Sequence, residues 1–222
     1  MPELTGNDII FCDFDGTISR SDVLNKVFTE FGDSKVQKLE EDFRAGKIDD
    51  RETLTRKWRR IELDYQEFRN FILKKVKLDP YFARFYGKVK EKGIDFVVLS
   101  GGFVNYIELL FVHHNIGQEM PVYGNKLEFR GEQVIPHFLH QIESCHQSFG
   151  VCGSCKWQVI QDMEVENKNV IYIGDGLTDR CPAEKADILL VKKGEMLQDY
   201  CEEQGIDYFS FEDFSDVEDY LF

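Results

Sequence analysis

The 222-residue chain has no apolar run long enough to cross a bilayer, which takes about 20 residues. It has no internal repeat, no low-complexity segment and only 5 Pro, so nothing marks a linker between domains. The length fits one domain, or one domain carrying a sizeable insertion. Positive charge is scarce: 27 Lys and Arg stand against 41 Asp and Glu, a net of −14. That excludes the basic face of a sequence-independent nucleic-acid binder. The shortage is uneven. From Glu195 onward there are ten acids and no Lys or Arg, so residues 1–194 hold 31 acids and 27 bases, a net of −4. Such a body accepts a small anion wherever a local cation or a bound metal reverses the field.

The N-terminal stretch Met1-Pro2-Glu3-Leu4-Thr5-Gly6 lacks a basic region followed by an apolar run, so no signal peptide is expected. The six Cys (12, 145, 152, 155, 181 and 201) are modest in number, and a reducing, cytoplasmic compartment is the simplest expectation. What is abundant is apolar: 42% hydrophobic residues, with 19 Phe, which is enough for a packed core and excludes global disorder. Nothing in the sequence reports the oligomeric state.

Short β-rich apolar runs recur at 7–14, 95–99, 169–173 and 187–191, with helical patterns between them. This predicts an α/β fold with a doubly wound parallel sheet, whose chemistry sits at the carboxyl ends of the strands. Residues 20–78 interrupt the alternation. Phe28, Phe31, Leu39, Phe43, Leu54, Trp58, Ile61, Phe68, Phe71 and Ile72 recur there at helical spacing. They predict helices over 22–31, 34–45, 50–62 and 65–76, an all-helical lid. Val122-Tyr123, Lys126–Phe129 and Gln133–Ile135 read as short strands, and the stretch to Cys155 has no clear pattern. After Asp207 a last strand and helix are expected, with Phe211, Phe214, Val217 and Leu221 facing the sheet.

Four segments carry chemistry. In Asp13-Phe14-Asp15-Gly16-Thr17 the two acids are i and i+2, so on an extended chain they point the same way. Their repulsion calls for a cation or a shared proton, and Mg²⁺ suits oxygen donors. Two acids at a strand end are also compatible with an ordinary turn. Ser100-Gly101-Gly102 follows the second strand and precedes an apolar helix, a pattern for an anion site at a helix N-terminus or for a simple cap. Gly174-Asp175-Gly176-Leu177-Thr178-Asp179 ends another strand in carboxylates: Asp175 can supply a metal oxygen, and Asp179 falls one helical turn later. Lys156 precedes the helix of Trp157, Val159, Ile160 and Met163. A lysine there opposes the helix dipole; a solvated surface lysine is the usual reading of any single Lys, and its position ahead of the Asp175 strand also suits phosphate neutralisation.

Together and in this order, these segments resemble the four motifs of the haloacid dehalogenase-like phosphohydrolases: DxDGT, Ser, Lys and GDxxxD. The resemblance covers nearly the whole chain. The helical block resembles a C1 cap, which points to subfamily IB. It implies a Rossmann-like core of residues 1–19 and 80–222 with a cap of 20–79. It also implies hydrolysis of a small phosphorylated metabolite. Asp13 would be the nucleophile and Asp15 the acid and base. Mg²⁺ would be held by Asp13, by the Asp15 carbonyl and by Asp175, with Asp179 supporting the metal shell. Thr17, Ser100, Gly101 and Lys156 would face the phosphate, and Asp22, Arg56 and Lys57 the rest of the substrate. Ala45-Gly46-Lys47-Ile48 and residues 52–57 are similar to the phosphoserine phosphatase cap, but Lys57 stands where those enzymes carry an arginine fork. The Phe11–Ile18 segment and Ser154-Cys155-Lys156 resemble instead the methionine-salvage 2-hydroxy-3-keto-5-methylthiopentenyl-1-phosphate phosphatases. Two readings from other classes stay open. Cys145, His146, Cys152 and Cys155 suit a zinc-binding or interaction module. A phospho-acceptor receiver domain shares the sheet, but Asp15 and the helical block count against it.

Overall fold

The computed structural model describes residues 4–117, 119–143, 145, 150–165 and 167–222. Met1, Pro2 and Glu3 of the N-terminal stretch lie outside them. The chain opens with strand β1 (Asp8–Asp13). Four helices follow: α1 (Val23–Phe31), α2 (Ser34–Arg44), α3 (Asp50–Trp58) and α4 (Tyr65–Lys75). Then come α5 (Phe82–Glu91), β2 (Asp95–Phe103), α6 (Val104–His114), β3 (Val122–Arg130) and β4 (Gln133–His137). The rest is α7 (Lys156–Asp162), β5 (Asn169–Gly174), α8 (Arg180–Ala183), β6 (Ile188–Lys192), α9 (Met196–Gln204), β7 (Phe209–Phe211) and α10 (Phe214–Leu221). The seven strands form one sheet in the order β4-β3-β2-β1-β5-β6-β7, parallel except for the β3–β4 hairpin. No helix among the described residues is long and apolar enough to cross a membrane.

β1 is central and buried along its whole length, which is why it reads as a continuous apolar run. Its side chains alternate between the two faces of the sheet. Ile9 and Phe11 join Val97, Leu99, Val159, Ile160 and Tyr172 on one face. Ile10, Cys12 and Phe14 join the larger cluster on the other. That larger cluster runs without a break into the helical insertion through Phe28, Leu54, Trp58 and Phe68. Trp58 of α3 meets Phe103 of β2 edge-to-face at 5.7 Å. Each such fully buried side chain contributes roughly 1.5–3 kcal/mol.

The acidic composition has a local use in the insertion. Asp22, Asp33, Asp49 and Asp64 each cap the N-terminus of a helix, accepting from the N–H groups of Asn25, Lys35 and Val36, Glu52, and Glu67. A cap of this kind contributes about 1 kcal/mol. The chain leaves the sheet and returns at adjacent points, since Ser19 and Leu78 pair as an antiparallel bridge. The helix expected over 50–62 stops at Trp58. Ile61 and Leu63 then alternate inward as extended chain, and the Leu63 N–H donates to the Glu132 carbonyl at 2.7 Å, tying this segment to the β3–β4 turn. At the C-terminus, Phe214 packs edge-to-face on Phe82, while Glu218 pairs with Arg84 and Lys88 of α5. Part of the acidic tail therefore serves basic residues far away in sequence.

Candidate active site

Strand order runs outward in both directions from β1, and crevices of such sheets open at the carboxyl ends around that point. Asp13 is the last residue of β1. A tight turn follows in which Asp15 is extended and Gly16 takes φ +88°, a left-handed conformation that glycine adopts freely. Gly16 is needed for a second reason: a Cβ there would collide with the Asp175 carboxylate at the end of β5. Gly16→Ala is accordingly expected to cost about 1–3 kcal/mol of stability. Urea denaturation of the variant measures this, and an unchanged midpoint would contradict the close packing.

Asp15 is held by three donors. Tyr106 Oη donates to Oδ2 at 2.6 Å, Ser100 Oγ donates to Oδ2 at 3.0 Å, and the Val23 N–H donates to Oδ1 at 3.2 Å. Ser100 Oγ in turn accepts from the Gly102 N–H at 2.8 Å. The glycines here are not at a helix N-terminus as their sequence suggests. β2 runs on through Gly101 and Gly102 to Phe103, with a register shift against β3 after Leu99. Gly102 has no room for a side chain because Tyr106 Oη lies against it. Asn125, fully buried, holds the Gly101 carbonyl at 2.9 Å.

Lys156 begins α7 and is buried, with Nζ donating to Asp13 Oδ1 at 2.6 Å and to Asp179 Oδ1 at 2.5 Å. Asp179 Oδ1 also accepts from the Tyr172 hydroxyl. Its Oδ2 accepts from the N–H groups of Asp175, at 3.1 Å, and Gly176, at 2.9 Å. Both Asp179 oxygens are thus engaged by the protein, which makes it a holder of Lys156 and of the turn after β5. Thr17 differs from its expected place toward the phosphate. It is fully buried and donates Oγ1 to Asp175 Oδ1 at 2.9 Å, so it orients that carboxylate.

One lysine faces four carboxylates here, and the imbalance shows in their acidities. Burial pushes Asp13 up to about 6, opposed by Lys156 and reinforced by Asp179. Burial, then Asp22 and Asp13, push Asp15 up to about 7 against the Tyr106 and Val23 hydrogen bonds. Asp175 is raised well above the ordinary range by burial and by Asp13 and Asp179. Burial alone would lower Lys156, but Asp13 and Asp179 outweigh it and hold it above the usual lysine value. Asp13, Asp175 and Asp179 can each bring one oxygen within 4.8 Å of the others, the only such grouping of ligating side chains among the described residues. An all-oxygen set of excess negative charge fits a hard divalent cation. Cys145, Cys152 and Cys155 form no comparable group, and His146 lies outside the described residues.

A cleft of about 340 Å³ lies between this centre and the insertion. Asp13, Asp15, Gly101, Asp175 and Thr178 line its floor, and Asp22, Phe28, Phe43, Asp50, Leu54 and Lys57 its opposite wall. Asp22 is exposed to the cleft, and the surrounding protein raises its pKa despite the Asn25 amide. Lys57 is 4% exposed, with Nζ on Glu40 Oε2 at 2.5 Å and 4.9 Å above the Phe28 ring. Arg56 does not reach the cleft, contrary to expectation. Adjacent helical positions diverge by about 100°, so with Thr53, Leu54 and Lys57 turned inward Arg56 faces solvent, where it pairs with Glu52 one turn earlier. Sequence reasoning missed Tyr106, Tyr172, Asn125 and Thr178. Its only available signal was that a buried Tyr or Asn must find a polar partner.

The profile of the Putative Phosphatase family matches residues 8–212. The chain is 30% identical over 210 residues to the 2-hydroxy-3-keto-5-methylthiopentenyl-1-phosphate phosphatase of Bacillus pumilus, covering 94% of this chain and 88% of that one. It is 28% identical to the protein of the same name from Brevibacillus brevis, over 94% and 92%. Among solved structures, a substrate-bound phosphoserine phosphatase superposes with a TM-score of 0.73 over all of both chains at 16% identity, a likeness of fold. A haloacid dehalogenase family hydrolase from Salmonella enterica superposes with a TM-score of 0.71 over 94% of this chain and 68% of that one, at 18% identity. A doubly wound sheet with a helical insertion after its first strand, carboxylates and a lysine gathered at the strand ends, and a family match across nearly the whole length lead to one assignment: the chain belongs to the Putative Phosphatase family and, with it, to the haloacid dehalogenase-like phosphoric monoester hydrolases.

Proposed function

We propose that this protein hydrolyses a small phosphomonoester through an aspartyl-phosphate on Asp13, with Mg²⁺ as cofactor. The observation that carries this reading is the convergence of Asp13, Asp15, Lys156 and Asp175 at the ends of β1 and β5 and the start of α7, under one cleft. Asp13 attacks phosphorus, and the bond from phosphorus to the leaving oxygen breaks. Asp15, whose pKa burial raises to about 7 so that a substantial fraction carries a proton at neutral pH, gives that proton to the leaving oxygen. It then takes a proton from the water that cleaves the aspartyl-phosphate, releasing inorganic phosphate and restoring Asp13. The Gly101 N–H binds a phosphoryl oxygen and Lys156 offsets the phosphate charge, while Ser100, expected to face the phosphate, is fully buried with its hydroxyl on Asp15 and acts by holding that acid. Asp13, Asp175 and the Asp15 carbonyl would hold Mg²⁺, with Thr17 and Asp179 keeping Asp175 in place. When bound, the cation cancels the repulsion between the carboxylates and the phosphate dianion. Residues 20–79 act as a cap over a core of 1–19 and 80–222. Six cysteines with no disulfide among the described residues suit a reducing compartment such as the cytoplasm.

For the substrate we favour the methionine-salvage type, a 2-hydroxy-3-keto-5-methylthiopentenyl-1-phosphate-like ester, which the curated relatives support. Phosphoserine is the second reading, favoured by Asp22 in the cleft wall as a partner for an amine. It is weakened by Lys57 at the expected carboxylate position, because that lysine is committed to Glu40 and Phe28. The test is a panel of phosphorylated metabolites containing both compounds, beside p-nitrophenyl phosphate. Activity is expected to need Mg²⁺ and to vanish with EDTA. Without any substrate, Mg²⁺ at ~100 times its Kd should stabilise the fold by about 2.7 kcal/mol. A melting temperature indifferent to Mg²⁺ would count against the cation site, and no hydrolysis of any ester against the whole reading.

A further inference from the structure

Asp50 is the first residue of α3, yet it does not cap that helix, because Asp49 does. Its Oδ2 accepts instead from the Gly153 N–H at 2.8 Å, across 103 residues of sequence. Gly153 is built for this contact: a Cβ there would lie 3.1 Å from both Asp50 Oδ2 and Leu54 Cδ1, tighter than side chains normally pack. The neighbouring contacts run the same way. The Arg51 guanidinium donates to Gln141 Oε1 at 2.5 Å, and the Cys155 N–H donates to the His140 carbonyl at 2.8 Å. Residues 150–155 are therefore clasped between α3 and the core, and they lead straight into Lys156. Gly153 and Lys156 are three positions apart, with only Ser154 and Cys155 between them, a span of at most about 10 Å. Lys57, Asp22 and Glu40 are the charged groups that bear on Asp50, and burial leaves it raised to about 6.

We infer that Asp50 is a positioning residue: through the Gly153 N–H it fixes residues 150–155 and so places Lys156, coupling the seating of the helical insertion to the assembly of the phosphate site. This rests on the phosphatase reading given above. Because Asp50 also lines the cleft, direct substrate contact is the rival explanation.

Two variants and two readouts separate them. Asp50→Ala removes the acceptor, whereas Asp50→Asn keeps an acceptor oxygen without the charge. In substrate-free protein, amide hydrogen exchange across 151–160 is expected to rise at least ~10-fold in Asp50→Ala. With p-nitrophenyl phosphate, kcat should fall by ~10-fold to 10²-fold, the scale of misplacing a reacting group. Asp50→Asn should restore both to within about 3-fold of wild type, since a neutral hydrogen bond replaces a charged one. A rise in KM alone with unchanged exchange would overturn the inference in favour of substrate contact. No change in either readout, or an Asp50→Asn as impaired as Asp50→Ala, would overturn it too. If Asp50→Ala does not fold, Gly153→Ala separates the same two groups and is read by the same exchange. The exchange arm needs no substrate, so a wild-type protein without phosphatase activity would end the functional reading while still deciding this linkage.

Discussion

Asp13→Asn is expected to lower turnover by at least ~10³-fold while leaving the fold intact, since a group that forms a covalent intermediate has no substitute within the site. Asn has the shape of Asp, and its oxygen can still accept from Lys156 Nζ, 2.6 Å away in the wild type. What it lacks is a charged oxygen able to attack phosphorus. The stability consequence has a definite sign. Burial raises the folded pKa of Asp13 from 3.8 to about 6, so the fold disfavours the charged form. The stability linked to protonated Asp13 is fully present below about pH 4 and is lost as pH rises through about 6. A neutral Asn removes that loss. Asp13→Asn should therefore melt no lower than wild type at pH 8, with the two curves converging toward pH 4. Mg²⁺-dependent hydrolysis of p-nitrophenyl phosphate and thermal denaturation at the two pH values measure both halves. Near-wild-type turnover would remove Asp13 as nucleophile.

Lys156→Met is expected to damage both stability and activity. The Lys156 side chain is 1% exposed, and its two partners are 6% and 0% exposed. Met fills the space of the stem but leaves Asp13 and Asp179 buried without their cation. Removing one partner of a buried ion pair costs about 3–5 kcal/mol. At roughly 2–4 °C per kcal/mol for a chain of this size, the melting temperature should fall by about 6–20 °C. The deficit should be largest at high pH and shrink as pH falls toward about 6, because Asp13, no longer held down by Lys156, takes up a proton at a higher pH in the variant than in wild type and one of the two unpaired charges disappears. Mg²⁺ should restore part of it by supplying the missing positive charge. Turnover should fall by ~10²-fold to 10³-fold, the effect of deleting one group that stabilises developing charge. Equal melting temperatures for variant and wild type at pH 8 would mean that Lys156 is not the buried counter-charge.

Several features were legible because they are local. Strands that end in carboxylates, helices with a 3.6-residue apolar period and capping aspartates are all written within a dozen residues. The spacing of Asp13, Asp15, Asp175 and Lys156 could thus be read together with the sheet that carries them. Arg56 and Thr17 show where such reading stops. Both stand inside the right motifs, but Arg56 is turned to solvent by the rotation of α3, and Thr17 is spent on a carboxylate 158 residues away. The glycines after Ser100 looked like a helix start because a bulged strand and a cap share the same residue types. Tyr106 and Tyr172 sit in apolar surroundings, where an aromatic residue reads as core, and only the bonds from their hydroxyls to Asp15 and Asp179 reveal their use.

By itself the sequence determined the α/β class, the helical insertion after the first strand, and which acids lie at strand ends, since those depend on the chain's near neighbours. The tertiary structure alone decided that Asp179 holds Lys156, that Lys57 is neutralised by Glu40, and that Asp50 of the insertion reaches Gly153 just ahead of Lys156. These contacts join residues 17 to 103 positions apart, and at such separations the partner of a charged side chain is set by how the elements pack.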